Sequence, residues 1–245
     1  MAGRLADRRI IVTGAASGMG RAVAILFAAE GARVALFDRD LRLLEEVAEV
    51  TGQTAIEVDV ADEVSVNAAV KKAADAMGGI DGVVNAAGIL REQPFDVTTA
   101  SIYDDVMGVN LRGPFLVCQA ALPELRKAPL ATIVNIASNA ALNPHPGLAV
   151  YSASKAGLVA LSQAMAKELG PTIRVNAVCP GIIRTPMTAN MWEQGGIGDQ
   201  AVAATIALKR PGQPAEIAEV CLFLSAETSS FVSAGVLAVN GGALF

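Results

Sequence analysis

Apolar positions along the chain fall into two periods that alternate from one end to the other. Short aliphatic or β-branched runs stand at 9–13, 34–37, 55–58, 80–85, 132–137, 173–178 and 236–239. Each is too short for a helix and is bounded by glycine or polar positions, so each predicts a buried strand. Between them apolar residues recur at helical spacing, as with Val23, Leu26 and Phe27, or Ile217, Val220, Cys221 and Leu224. Glu30-Gly31 closes the first of these helices, Asp62 is placed to cap the helix after the third strand, and Pro214 opens the last. A long helical segment is expected over about 99–126, bent at Gly113-Pro114, and the segment 180–212 shows no strand pattern.

Strands alternating with helices predict a doubly wound parallel sheet of seven strands with helices on both faces. With no linker, repeat or low-complexity tract, residues 1–245 read as one domain of the Rossmann type. In such sheets ligands bind beyond the carboxyl ends of the strands. The residues just after each strand are therefore the candidates.

After the first strand comes TGAASGMG at 13–20, followed by a helix. Gly14, Gly18 and Gly20 allow a tight turn and a close backbone approach to a pyrophosphate at a helix N-terminus, which points to dinucleotide binding. After the second strand, Asp38 lies eighteen residues past Gly20. A carboxylate there accepts hydrogen bonds from an adenosine ribose and repels a 2′-phosphate, although it could instead cap the next helix. Arg39 complicates that reading, since a guanidinium could bind the phosphate. With Ser17 in the loop no second cation is offered, and NAD is favoured over NADP.

Composition narrows the field. A net charge of −5 argues against nucleic acid or an anionic membrane as the main partner. The uncharged stretch 128–154 is interrupted by Asn135, Asn139, Asn143, Pro144 and Pro146, so a membrane span is rejected. Three scattered cysteines without a signal-like N-terminus suggest reduced thiols and a cytoplasmic protein, and one histidine makes a catalytic zinc site improbable.

Tyr151 and Lys155 stand four residues apart ahead of Leu158, Leu161, Met165 and Leu169, so a helix puts them on one face. In water a tyrosine is about one part in a thousand ionised at pH 7, and a neighbouring cation lowers its pKa. Bringing it near 7 takes about 4 kcal/mol. The expectation is a phenol made usable for proton transfer by Lys155.

Taken together, TGxxxGxG at 13–20, Asp59-Val60, NxAG at 85–88, Asn110, Ser138, YxxxK at 151–155, Cys179-Pro-Gly181 with Thr185, and Asn240-Gly-Gly242 occur in an order that resembles the short-chain dehydrogenase/reductase family along essentially the whole chain. Ala86 departs from it, because a second Asn is common there. The resemblance implies that Tyr151 is the general acid/base and that Lys155 holds the nicotinamide ribose and keeps the phenol's pKa low. Ser138 would hydrogen-bond the substrate oxygen, and Asn110 would position a water linking Lys155 to solvent. It implies that Gly14, Ser17, Gly18, Met19, Gly20, Asp38, Asp59, Val60, Asn85, Ala87 and Gly88 line the adenine, ribose and pyrophosphate. Pro180, Gly181, Ile183 and Thr185 would meet the nicotinamide end, with 182–212 as a lid. A homotetramer is the family habit.

The substrate side is less legible. Met187, Met191, Trp192 and Ile197 make the lid apolar, which suggests a largely uncharged alcohol or ketone. Asn139 and His145, six residues before Tyr151, are further candidates. The leading expectation is an NAD-dependent oxidoreductase of secondary alcohols or ketones. The alternative is an NADPH-dependent 3-oxoacyl-[acyl-carrier-protein] reductase, disfavoured by Asp38 and by few cations to dock an acidic carrier. A non-catalytic dinucleotide-binding regulator would not need the complete Asn110, Ser138, Tyr151 and Lys155 set. An epimerase or dehydratase of the longer relatives would call for a substrate domain past the seventh strand.

Overall fold

The computed structural model describes residues 3–192 and 198–243, and Ile197 lies outside them. Seven parallel strands form one sheet in the order β3-β2-β1-β4-β5-β6-β7. They are β1 (Arg9–Thr13), β2 (Arg33–Asp38), β3 (Thr54–Glu57), β4 (Gly82–Asn85), β5 (Ala131–Ile136), β6 (Ile173–Pro180) and β7 (Val236–Val239). The chain winds outward from β1 to β3, returns to the centre at β4 and winds outward the other way. The crevice between the ends of β1 and β4 is thus the switch point where ligands bind in such sheets.

Alternate strand residues face opposite layers. Ile10, Val12, Val34, Leu36, Val134 and Val178 pack on α1 (Gly18–Ala29), α2 (Leu41–Thr51) and α8 (Pro214–Ser225). Ile11, Phe37, Ile56, Val83, Ile133 and Val175 pack on α3 (Glu63–Met77), α5 (Gly113–Leu125) and α6 (Ala149–Leu169). Both faces of the sheet are therefore dry, which is why its strands read as continuous apolar runs.

Two expectations shift in detail. The long segment after β4 is not one helix bent at Gly113-Pro114. It comprises α4 (Ala100–Met107), a π-turn at Gly108–Arg112, and α5, which begins at Gly113. The wider turn carries Asn110 into the interior, fully buried. The segment after β6 gains a 3₁₀ turn at Pro186–Met191 and the short helix α7 (Gly198–Ala204). Asp62 does cap α3, accepting from the Ser65 N–H at 2.8 Å.

Candidate active site

The glycine loop is shaped by close approach. Gly14 has φ +68°, and a Cβ on it would lie 2.8 Å from the Ala87 nitrogen. A Cβ on Gly20 would lie 2.1 Å from the Gly14 carbonyl oxygen. No side chain fits at either place, and the backbone of α1 is drawn against the β1 turn. Thr13 joins the two central strands: its hydroxyl accepts from the Ala86 and Ala87 N–H groups at 3.0 and 3.1 Å. The NxAG turn is thus held through backbone that Ala86 supplies as well as Asn would.

Asp38 at the end of β2 does not cap α2; Asp40 does, accepting from Leu43 N–H at 3.0 Å. The Asp38 carboxylate accepts from Ala16 N–H and from Asp40 N–H, both at 3.1 Å, and so braces the glycine loop. It still faces the cleft, with Arg39 beside it. The rest of the cleft wall includes Gly14, Ser17, Gly18, Met19 and Gly20 on one side, and Asp59, Val60, Ala87 and Gly88 on the other. Thr185 and Met187 close it from above.

A dinucleotide suits these residues. Ser17, before α1, makes no side-chain cap, so the first N–H groups of that helix are left to an anion in the cleft. Gly14, Gly18 and Gly20 line the cleft with backbone alone, which a pyrophosphate can approach closely.

Behind Gly88 lie polar groups of the π-turn and of α6. A Cβ on Gly88 would be 3.4 Å from Asn110 Oδ1 and 3.5 Å from Lys155 Nζ, so both reach the inner end of the cleft. Asn110 is clamped to Ile89: its Oδ1 accepts from Ile89 N–H at 2.8 Å and its Nδ2 donates to the Ile89 carbonyl at 2.9 Å. The same Nδ2 reaches Ser154 Oγ at 3.2 Å, and that hydroxyl donates to the Tyr151 carbonyl at 2.7 Å. Lys155 Nζ donates to the Ile136 carbonyl at 2.9 Å. Burial brings its ammonium down to about 8, opposed by a pull from Cys179.

Tyr151 departs from the expectation. Burial pushes the phenol above its ordinary value, and a hydrogen bond with Ser138 offsets only part of the rise. Lys155 Nζ is 5.9 Å from the ring centroid and bonded elsewhere, too far to overcome desolvation. The protein's own groups therefore disfavour the phenolate of Tyr151. Ser138 Oγ also accepts from the Ala140 N–H at 3.1 Å, which fixes the hydroxyl at the end of β5.

Other candidate residues do not stand on the cleft wall. Asn85 turns away from the cleft and donates to Asn135 Oδ1 at 2.8 Å and to Cys118 Sγ at 3.3 Å inside the sheet–helix layer. Pro180 and Ile183 are buried, and Ile183 lines a second hollow with Arg210, Gly212 and Asn240. The Gly181 N–H is taken by the Val239 carbonyl at 3.0 Å. Asn139 is buried, and its Oδ1 accepts from Asn240 Nδ2 at 2.8 Å. His145 lines a separate open hollow with Glu92, Phe95 and Asn190. The Trp192 ring is stacked under the Arg184 guanidinium at 4.3 Å. Thr13, Ile89, Val109 and Ser154 were not singled out from sequence; only Thr13 and Ser154 carried a signal, as the first letter of the glycine motif and the fourth of YSASK.

A family model described as enoyl-(acyl carrier protein) reductase matches residues 14–243. A structure from Brucella melitensis, titled short-chain dehydrogenase/reductase, glucose/ribitol dehydrogenase, superposes with a TM-score of 0.93. It is 36% identical and covers 99% of this chain and 98% of its own. The chain belongs to the short-chain dehydrogenase/reductase family. Another family member, the 2-(R)-hydroxypropyl-CoM dehydrogenase of Xanthobacter autotrophicus, is 41% identical over 96% of this chain and 98% of its own length. The 3-ketoacyl-(acyl-carrier-protein) reductase of Brucella melitensis, whose structure is titled as complexed with NADH, is 32% identical. It has a TM-score of 0.91 over 98% of this chain and 100% of its own. As a member of this family, the chain is an oxidoreductase.

Proposed function

We propose that this oxidoreductase transfers hydride between NAD(H) and a largely uncharged secondary alcohol or ketone, with Tyr151 as the general acid/base. The observation that carries the reading is the cleft's two ends. Asp38 faces one, and Asn110 Oδ1 with Lys155 Nζ stands behind Gly88 at the other. A bound nicotinamide cofactor supplies the hydride chemistry. The chain's own groups do the rest. Asp38 accepts from ribose hydroxyls and repels a 2′-phosphate. Ser138 gives the developing alkoxide a fixed donor, and the neutral phenol of Tyr151 delivers the proton. Lys155 binds the nicotinamide ribose, and Asn110 holds a water that returns the proton from solvent.

The same reading takes the chain as one domain with 182–212 as a lid, cytoplasmic and homotetrameric. Among the described residues no helix is long and apolar enough to cross a membrane. Half-exposed Phe115 with Met107, Leu111 and Leu161 forms an apolar hollow on the α5–α6 side that suits pairing.

The second reading, a 3-oxoacyl-[acyl-carrier-protein] reductase, is favoured by the likeness to the Brucella ketoacyl reductase. Steady-state rates with NADH and NADPH on cyclic, aliphatic and acyl-thioester ketones separate the two. Preference for NADH and neutral ketones is expected. Preference for NADPH overturns the role of Asp38, and strong thioester preference favours the second reading.

A further inference from the structure

Residues 240–243 follow β7 and lie across the ends of β5 and β6. Asn240 Oδ1 accepts from the Gly242 N–H at 3.0 Å, which fixes which end of its carboxamide is the donor. Its Nδ2 then donates to Asn139 Oδ1 at 2.8 Å, across 101 residues of sequence. Asn139 is buried and directly follows Ser138; its carbonyl accepts from the Leu142 and Asn143 N–H groups, both at 2.9 Å. The turn that begins at Asn139 thus carries the bond to Asn240 at one point and, one residue earlier, the Ser138 hydroxyl, which accepts from the Ala140 N–H at 3.1 Å. The tail cannot slide inward, because a Cβ on Gly181 would already lie 2.8 Å from Asn240 Cα and Cβ. The same tail holds the limb after α7, with Ala207 and Leu208 N–H groups donating to the Gly242 and Gly241 carbonyls at 2.9 and 3.0 Å.

We infer that Asn240 is a positioning residue for the reaction: through Asn139 it sets the place of the Ser138 hydroxyl against the substrate oxygen and Tyr151. A loop hydroxyl gains its placement from what packs behind it, and a displacement of about 1 Å in such a group costs roughly a hundredfold in rate. The inference rests on the reading of Ser138 as the donor to the substrate oxygen.

A double-mutant cycle tests it, using Asn139→Leu, Asn240→Ala and the pair, in ketone reduction with NADH. Each single variant is expected to lower kcat about tenfold, and the pair to be no worse than the poorer single, since both remove one bond. The dissociation constant of NADH should stay within about twofold, because neither residue lines the dinucleotide cleft. Losing the Ser138 bond raises the phenol's pKa further, so the fall of kcat with rising pH moves to higher pH in all three. Should Asn139→Leu not fold, Asn139→Ala takes its place. Effects that multiply in the pair, or a lowered Tm with kcat and pH profile unmoved, overturn the inference. Ser138→Ala separates the two levels. If it keeps wild-type kcat, the reading of Ser138 fails; if it loses kcat while the asparagine variants do not, the inference alone fails.

Discussion

On the β1–β2 side of the cleft, the groups that face a ligand are bare backbone at Gly14, Gly18 and Gly20, with the Asp38 carboxylate at the edge. On the β4–β6 side they are polar side chains taken out of water. Asn110 is wholly buried, Lys155 is 4% exposed, and each is bonded to a main-chain carbonyl. The first side binds through what it lacks, since a single methyl at Gly20 would collide with Gly14. The second works through groups that are costly to bury and are retained despite that cost.

The largest test of this contrast is Tyr151→Phe. It should cut turnover by at least about a thousandfold while leaving NADH affinity nearly unchanged, as the proposed role of its hydroxyl in proton transfer requires. A variant retaining a tenth of the wild-type rate would remove Tyr151 from the chemistry.

Lys155→Met should also abolish most activity, yet it should stabilise the fold at neutral pH. The ammonium's pKa falls from 10.5 free to about 8 when folded, so the unfolded chain binds more protons between those values and wild-type stability rises with pH across that window. That is a cost on the order of 3 kcal/mol at pH 7, reduced by about 1 for the lost bond to the Ile136 carbonyl. Urea unfolding should find the variant about 2 kcal/mol more stable at pH 7, with the advantage gone by about pH 10.5. A variant less stable at pH 7 would show that burying Lys155 is not a burden.

Asp38→Ala probes the other side. The ratio of kcat/KM for NADH over NADPH should narrow by about tenfold, as Arg39 remains to meet a phosphate. Some stability should go with it, because the carboxylate also braces Ala16 N–H. An unchanged ratio would leave Asp38 as a brace alone.

Gly88→Ala is the smallest and joins the two sides. The new methyl would stand 3.4–3.5 Å from Asn110 Oδ1 and Lys155 Nζ, in ordinary contact, where it takes the room of a bridging water. A loss of about threefold to tenfold in kcat is expected, with little change in Tm. Unaltered kcat would argue against a water relay at that place.

The sheet was legible because both its faces are buried, so strand and helix periods separate cleanly. The glycine loop was legible because close approach restricts residue type. Orientation was not. Asn85 and Asn139 each follow or end a strand as a site residue does, yet one faces Cys118 and Asn135 and the other Asn240. No local pattern tells which way a carboxamide turns when its partner is fifty or a hundred residues distant. The π-turn that buries Asn110 was hidden because Gly113-Pro114 is an equally good reason for a bend, and the tertiary clamp on Ile89 decided it. The burial that raises the Tyr151 phenol was not legible either, because proximity in sequence says nothing of desolvation.

The order of strands in the sheet has a consequence in time. Among the described residues β7 pairs only with β6, and β6 also with β5, so this edge of the sheet closes in chain order. A nascent chain that has emerged as far as α6 already holds the glycine loop, Asp38, Tyr151 and Lys155. It still lacks the strand beside which Gly181 and Asn240 settle. Such contacts of high sequence separation form late and slowly. During synthesis the glycine loop and the Tyr151–Lys155 helix are thus made first, but neither is held in place until α8 packs on α1 and the Asn240 tail reaches Asn139.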